Sequence, residues 1–154
     1  VYTRGVEIRS SNVVFDCQGA RIFDEPGGQG RGILIAAPVD VALENVKVRN
    51  CPVGGFLNNL RVERTGWKGA IEQGSEYDVT FSDIVIEDST FIDSDGSGAF
   101  INAYVTGVPL RRSTFRGSEG VGVYLEAGSK ETVIEACLFE DNGYDASTVE
   151  DIFV

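Results

Sequence analysis

Five stretches decide the architecture: GVEIRSSNVVFDCQGARI (5–22), GILIAAPVDVALENVKV (32–48), GAIEQGSEYDVTFSDIVI (69–86), GAFINAYVTGVPLRRSTF (98–115) and GVYLEAGSKETVIEACLF (122–139). Each opens on Gly, runs through two or three alternating apolar residues, makes a short polar turn, and ends in two alternating apolar pairs separated by a two-residue turn. From the Gly to the next aligned strand, at Val41, Val79, Val108 and Thr132, the distance is 9 or 10 residues. From one Gly to the next it is 27, 37, 29 and 24 residues, and the variation is assigned to segments 23–31, 49–68, 87–97, 116–121 and 140–147. Phe91, Phe115 and Phe139 lie 24 apart, so in the third unit either 79–83 or 87–91 reads as an insertion.

Strands of three to five residues cannot bury an apolar face alone, but stacked repeats lend their inward side chains to one continuous column. The inward set by alternation is Val6, Ile8, Val13, Phe15, Ile33, Ile35, Val41, Leu43, Val46, Val48, Val79, Phe81, Ile84, Ile86, Ile101, Val108, Leu110, Phe115, Val123, Leu125, Ile134, Cys137 and Phe139. The units repeat in one direction without helical periodicity between them, which predicts parallel, in-register stacking. A β-sandwich is the runner-up, but its hairpins need tight turns, and the single Asn-Gly, at 142–143, falls outside the repeats.

Composition agrees. Nineteen Val and 11 Ile against 7 Leu suit a pleated surface. With no His and no Met, imidazole triads and His or Met metal sites are excluded. A net charge of −11 argues against a nucleic-acid or anionic-membrane partner. No apolar run reaches the ~18 residues of a membrane-spanning helix. The three cysteines, Cys17, Cys51 and Cys137, are odd in number and form no CxxC pair. Neither a disulfide framework nor a zinc site is therefore expected.

NVVFDCQGARI, DVALENVKV, DIVIEDSTF and TVIEACLFEDNG resemble the coils of the pectin-lyase-like, right-handed parallel β-helix proteins. The expected fold is an all-β, single-stranded right-handed parallel β-helix (solenoid) of about five coils. It is read as one domain over 1–154 and as a segment of a longer solenoid, with further coils or an oligomer covering its open ends. In that family a two-residue turn carries a ladder of Asn. The corresponding residues here are read as Cys17, Asn45, Asp83, Arg112 and Ala136, of which Asn45 alone keeps the pattern.

The resemblance implies polysaccharide chemistry and an extracellular, cell-surface or periplasmic location. A polysaccharide or oligosaccharide is the expected partner, and a lyase or glycoside hydrolase the expected enzyme, if the chain is one. The outward positions of the first strand are read as Glu7 and Arg9, Leu34 and Ala36, Ile71 and Gln73, Phe100 and Asn102, and Tyr124 and Glu126. Phe100 and Tyr124 are expected to stack one strand spacing apart, ~4.8 Å, with Asn102 and Glu126 beside them. Gln73, and Trp67 from the long 49–68 segment, complete the candidate substrate-binding set. Arg61, Arg64 and Lys68 form a basic cluster suited to a substrate carboxylate.

Candidate acid/base residues are Glu126 paired with Asp95 or Glu119, since glycoside hydrolysis needs two carboxyls within ~5–9.5 Å. A site similar to that of the pectate-lyase-like enzymes would set an arginine, Arg111, Arg112 or Arg116, beside Asp93, Asp95, Glu119 and Glu126 as carboxylates holding Ca²⁺. Asp93-Ser94-Asp95-Gly96 offers the alternating oxygens of a Ca²⁺ loop without the third Asp or the distant Glu of an EF-hand. Ca²⁺ is the one cofactor considered. The competing reading is a non-catalytic structural or adhesive solenoid.

Overall fold

The computed structural model describes residues 4–38, 41–65, 81–143 and 151–153. In chain order the strands are β1 (Val6–Ile8), β2 (Val13–Asp16), β3 (Ile22–Pro38), β4 (Leu43–Arg49), β5 (Pro52–Thr65), β6 (Phe81–Glu87) and β7 (Thr90–Ile92). They continue with β8 (Ser97–Ile101), β9 (Leu110–Arg111), β10 (Thr114–Arg116), β11 (Val123–Leu125), β12 (Ile134–Glu135), β13 (Leu138–Glu140) and β14 (Ile152–Phe153). Every pairing among them is parallel. One sheet runs β13-β10-β7-β5-β8-β11-β14, with β3 and β1 joined through β5, and the other runs β12-β9-β6-β4-β2. The fold is the expected parallel β-helix.

The register corrects the division into units. β3 and β5 each join the third strand of one coil to the first strand of the next. Ile22 and Phe23 pair with Val53 and Gly54, while Ile33 to Pro38 pair with Leu60 to Thr65. Segments 23–31 and 49–68, read as loops, are therefore largely strand. Leu60 lies between Ile33 and Ala99. The first strand of the third coil thus starts after Asn59, not after Gly69, and the extra chain of that coil lies between β5 and β6. The coil-start position holds Gly5, Gly32, Asn59, Gly98 and Gly122. A Cβ on Gly98 would lie 2.6 Å from the Gly122 carbonyl oxygen. Asn59 holds the position by side-chain bonds instead: Nδ2 donates to Ile92 O at 2.8 Å and Oδ1 accepts from Phe56 N–H at 3.2 Å.

The column is as read from alternation, with two changes. Val41 is 45% exposed, because its N–H closes a turn onto Pro38 O instead of continuing β4. Val79 lies outside the described residues. Added to the column are Ile22, Val53, Phe56, Leu60, Val62 and Phe91. Phe91, Phe115 and Phe139 stack at 5.2 and 5.3 Å, while Phe81 and Ser82 pair with Leu43 and Glu44, so neither 81–83 nor 87–91 is an insertion, and the expectation that one of them was is corrected.

Corners are made by single left-handed residues. The register separates the supposed Asn ladder into two rows. Asn12, Asn45 and Asp83 form one, with Asn45 Nδ2 donating to Asn12 Oδ1 at 2.9 Å. Asn50, Asp88, Arg112 and Ala136 form the other, all at φ between 45° and 55°. Asn and Asp tolerate this region, whereas Ala and Arg adopt it at a cost.

Beside the second row runs a column of Cys17, Cys51, Ser89, Ser113 and Cys137. Cys17 and Cys51 are disulfide-bonded, their Cα atoms 4.9 Å apart, so the expectation of no disulfide is overturned. Residues at one corner of neighbouring coils stand one strand spacing apart, which is the reach of a disulfide. Cys137 is free. On the outer face of the second sheet, Asp16, Arg49, Glu87, Arg111 and Glu135 are register partners of alternating charge. Arg49–Asp16 (2.9 Å) and Arg111–Glu135 (3.3 Å) are ion pairs within it. Each exposed pair contributes little, but a slip of one coil would set like charges opposite.

Candidate functional site

The outer face of the first strands carries two parallel rows. The first is Leu34, Arg61, Phe100, Tyr124 and Phe153, fixed by the pairs Leu34–Arg61, Arg61–Phe100, Phe100–Tyr124 and Tyr124–Phe153. Phe100 and Tyr124 stack at 4.8 Å and Tyr124 and Phe153 at 5.1 Å. The Arg61 guanidinium caps the stack 4.4 Å above Phe100. Phe100 and Tyr124 lie as expected from sequence. The places assigned to Ile71 and Gln73 are taken by Arg61 and Glu63 through the shifted coil start. Gln73 and Trp67 themselves lie outside the described residues.

The second row, two residues further along each strand, is Ala36, Glu63, Asn102 and Glu126. Arg61 Nε donates to Glu63 at 2.6 Å and its Nη1 to Asn58 at 3.2 Å, while Arg31 stands 3.8 Å from the same Glu63 carboxylate. Asn102 Nδ2 donates to Glu126, whose Oε2 also accepts the Ala103 N–H at 3.0 Å. A carboxylate so engaged is fixed in place as an acceptor.

The acid pairs divide differently. Leu125 pairs with Ile101, so Glu126 stands at the level of Asn102, beyond the end of β8, while Asp95 precedes that strand. The five steps from Ser97 to Asn102 alone cover about 16 Å, so Glu126 is not within glycosidase distance of Asp95. Glu119 occupies Asp95's position one coil on, and its N–H donates to Ser94 O at 2.8 Å, so Glu119 too is remote from Glu126. Asp95 and Glu119 instead share a groove of about 580 Å³ at the corner after the third strand, lined also by Phe23, Asp24, Asp93 and Asp141. Arg116 is exposed on the outer face of the third strand, opposite Ile92 and Glu140.

The Ca²⁺ loop reading does not fit this corner. Among the described residues no three His, Cys, Asp or Glu converge as metal ligands. Asp93 is the left-handed corner residue, and its carboxylate folds over Gly117. Ser94 is buried, its Oγ 3.1, 3.0 and 2.8 Å from the carbonyl oxygens of Phe56, Leu57 and Ser97. The segment serves as a hydrogen-bonded turn. Missed by sequence reasoning were Glu63 and Phe153; the alternation Leu60-Arg61-Val62-Glu63 was the available signal for the first.

The parallel solenoid agrees with comparison by sequence, where the family model described as right handed beta helix region matches residues 31–152. The chain belongs to that family. Curated proteins and solved structures yield no match to it.

Proposed function

We propose that this β-helix is a glycan-binding module whose contact surface is the outer face of the first strands. The observation that carries the reading is the pair of adjacent rows, Arg61–Phe100–Tyr124–Phe153 and Glu63–Asn102–Glu126, running across successive coils. Apolar edges beside fixed amide and carboxylate groups suit a ligand with apolar C–H surfaces and hydroxyl edges. The stacked rings occupy one another's faces, so the sugar meets ring edges, and the polar row supplies its orientation. Binding is favoured over hydrolysis, since the Glu126 carboxylate is held by Asn102 and the Ala103 N–H and the Glu63 carboxylate by Arg61. The Cys17–Cys51 bridge supports an extracellular or periplasmic setting, where disulfides persist.

A second reading, a cohesive structural or adhesive solenoid, is favoured by the same ring stacking, which binds coil to coil. Titration of a panel of neutral and acidic oligosaccharides, read by thermal shift and by NMR of the side-chain amides, separates the two. The module predicts a shift for the wild type that Asn102→Ala abolishes without loss of fold. No response to any glycan would leave the structural solenoid.

A further inference from the structure

The polar row keeps step with the coils. Asn102 N–H donates to Val62 O and Glu126 N–H to Ile101 O, both at 2.9 Å, so the parallel ladder runs on past β8 and β11. Glu63, Asn102 and Glu126 therefore hold equivalent positions on three successive coils, with about 9.6 Å, two strand spacings, between the carboxylates. Each carboxylate is anchored through one oxygen. Glu63 Oε2 accepts from Arg61 Nε at 2.6 Å and lies 3.8 Å from Arg31, and Glu126 Oε2 accepts from Asn102 and the Ala103 N–H. Carboxylates only accept, whereas the amide between them donates and accepts. The row reads acceptor, amide, acceptor. Of the basic cluster expected for a substrate carboxylate, Arg64 turns into the column at 4% exposure and Lys68 lies outside the described residues. Arg61 is engaged by Glu63, Asn58 and the Phe100 ring. Glu126 is held by neutral donors, which leave its charge in place. A uronate carboxylate brought within ~4 Å of it would lose about fivefold in affinity even at the dielectric constant of water.

Resting on the glycan-binding reading above, we propose that the ligand is a neutral, extended β-1,4-linked glycan lying across the coils, one pyranose to a coil. In such a chain the linkages leave from opposite ends of each ring, so it runs straight and each pyranose is turned over relative to the last. The same edge recurs at every second residue, at close to twice the strand spacing. Hydroxyls of the first and third pyranoses donate to Oε1 of Glu63 and of Glu126 in charge-assisted bonds. The middle pyranose turns its opposite edge to Asn102. Its C–H groups and those of the third pass along the edges of Phe100 and Tyr124. Chains with α-1,4 or β-1,3 linkages curl away from a straight row.

The test is titration of the wild type with hexasaccharides that vary linkage and charge at one length, read by thermal shift and by the Asn102 side-chain amide resonance. Cellohexaose, xylohexaose and β-1,4-linked mannohexaose are the neutral β-1,4 members. Maltohexaose and laminarihexaose change the linkage, and β-1,4-linked hexamannuronate adds charge alone. One of the first three should bind at least tenfold more tightly than each of the others and move the Asn102 resonance. Its dimer should bind at least tenfold more weakly than its trimer, because only the trimer reaches both carboxylates. Glu126→Gln should cost the hexamer a similar factor, the worth of one hydrogen bond to a charged group. Equal affinity across the series, preference for maltohexaose, laminarihexaose or hexamannuronate, or a dimer as tight as the trimer overturns this inference and leaves glycan binding standing. A folded Glu126→Gln protein with unchanged affinity does the same. No response to any member overturns both. The ligand series is read on the wild type, so it decides the matter even if Glu126→Gln does not fold.

Discussion

Replacing both Cys17 and Cys51 with Ser isolates the cross-link from its packing. The substitution is one the corner column already uses. Ser89 Oγ donates to Glu87 O at 2.8 Å and Ser113 Oγ to Arg111 O at 2.9 Å, and Cys51 Sγ lies 3.2 Å from the equivalent carbonyl of Arg49. A serine at 51 therefore finds its acceptor two residues back, and the loss that remains is the constraint on the unfolded chain. For a bridge between residues 34 apart, the chain-entropy relation gives about 12.7 cal/mol/K, or about 3.8 kcal/mol at 25 °C. For a domain of this length that corresponds to a fall of about 8–15 °C in Tm. Urea unfolding of both proteins without reductant reads the difference, and the slope should rise as the unlinked chain exposes more surface. Thiol titration of the urea-unfolded wild type supplies the control: one thiol, from Cys137, is expected. Three titrating thiols, or a double variant within about 1 kcal/mol of the wild type, would refute the reasoning.

The same corner column predicts a second bridge. Ser113 precedes Thr114, which pairs with Leu138 next to Cys137. Ser113→Cys should therefore oxidise onto Cys137 and raise stability by about 3.5 kcal/mol, visible as a loss of the remaining thiol and a higher urea midpoint. Gly98→Ala would bring a methyl to 2.6 Å from the Gly122 carbonyl oxygen and should cost about 1–3 kcal/mol by the same measurement. Ala136, exposed at φ 52°, carries the left-handed penalty without a packing role, so Ala136→Gly should stabilise by up to about 1 kcal/mol. Asp16, whose carboxylate accepts from Asn50 and from the Gln18 N–H, and Asp88, paired with Arg112, hold carboxyls below their ordinary range. Their stabilisation is complete above the unfolded value of about 3.9 and disappears as the pH falls through the lower folded values. The urea midpoint should be flat above about pH 5 and fall below about pH 4, with a shallower acid limb in Asp16→Asn and Asp88→Asn.

What the sequence makes legible follows from what alternation can report. A period of two tells which residues of one strand face the column, and it placed them in β1, β2, β4, β6 and β8 to β13 and in the Phe100–Tyr124 stack. It says nothing of which strand lies next door; that needs a marker in every coil. Glycine is the marker at 5, 32, 98 and 122, where backbone crowds backbone and a Cβ cannot enter. In the third coil Asn59 replaces it and anchors itself through its side-chain amide, which donates to the Ile92 carbonyl. A search for glycine therefore passes over 59 and settles on Gly69, displacing Arg61 and Glu63 from the face where the structure puts them. The disulfide was hidden by counting the cysteines instead of measuring their spacing. Cysteine parity carries little information in a repeat, where spacing is decisive: Cys17 and Cys51 are 34 apart, against 33 from Asn12 to its ladder partner Asn45. Two side chains one coil apart at one corner are neighbours whatever the total count. Reading that spacing first would have paired them and, through Ser89, Ser113 and Cys137, set the register of every later coil.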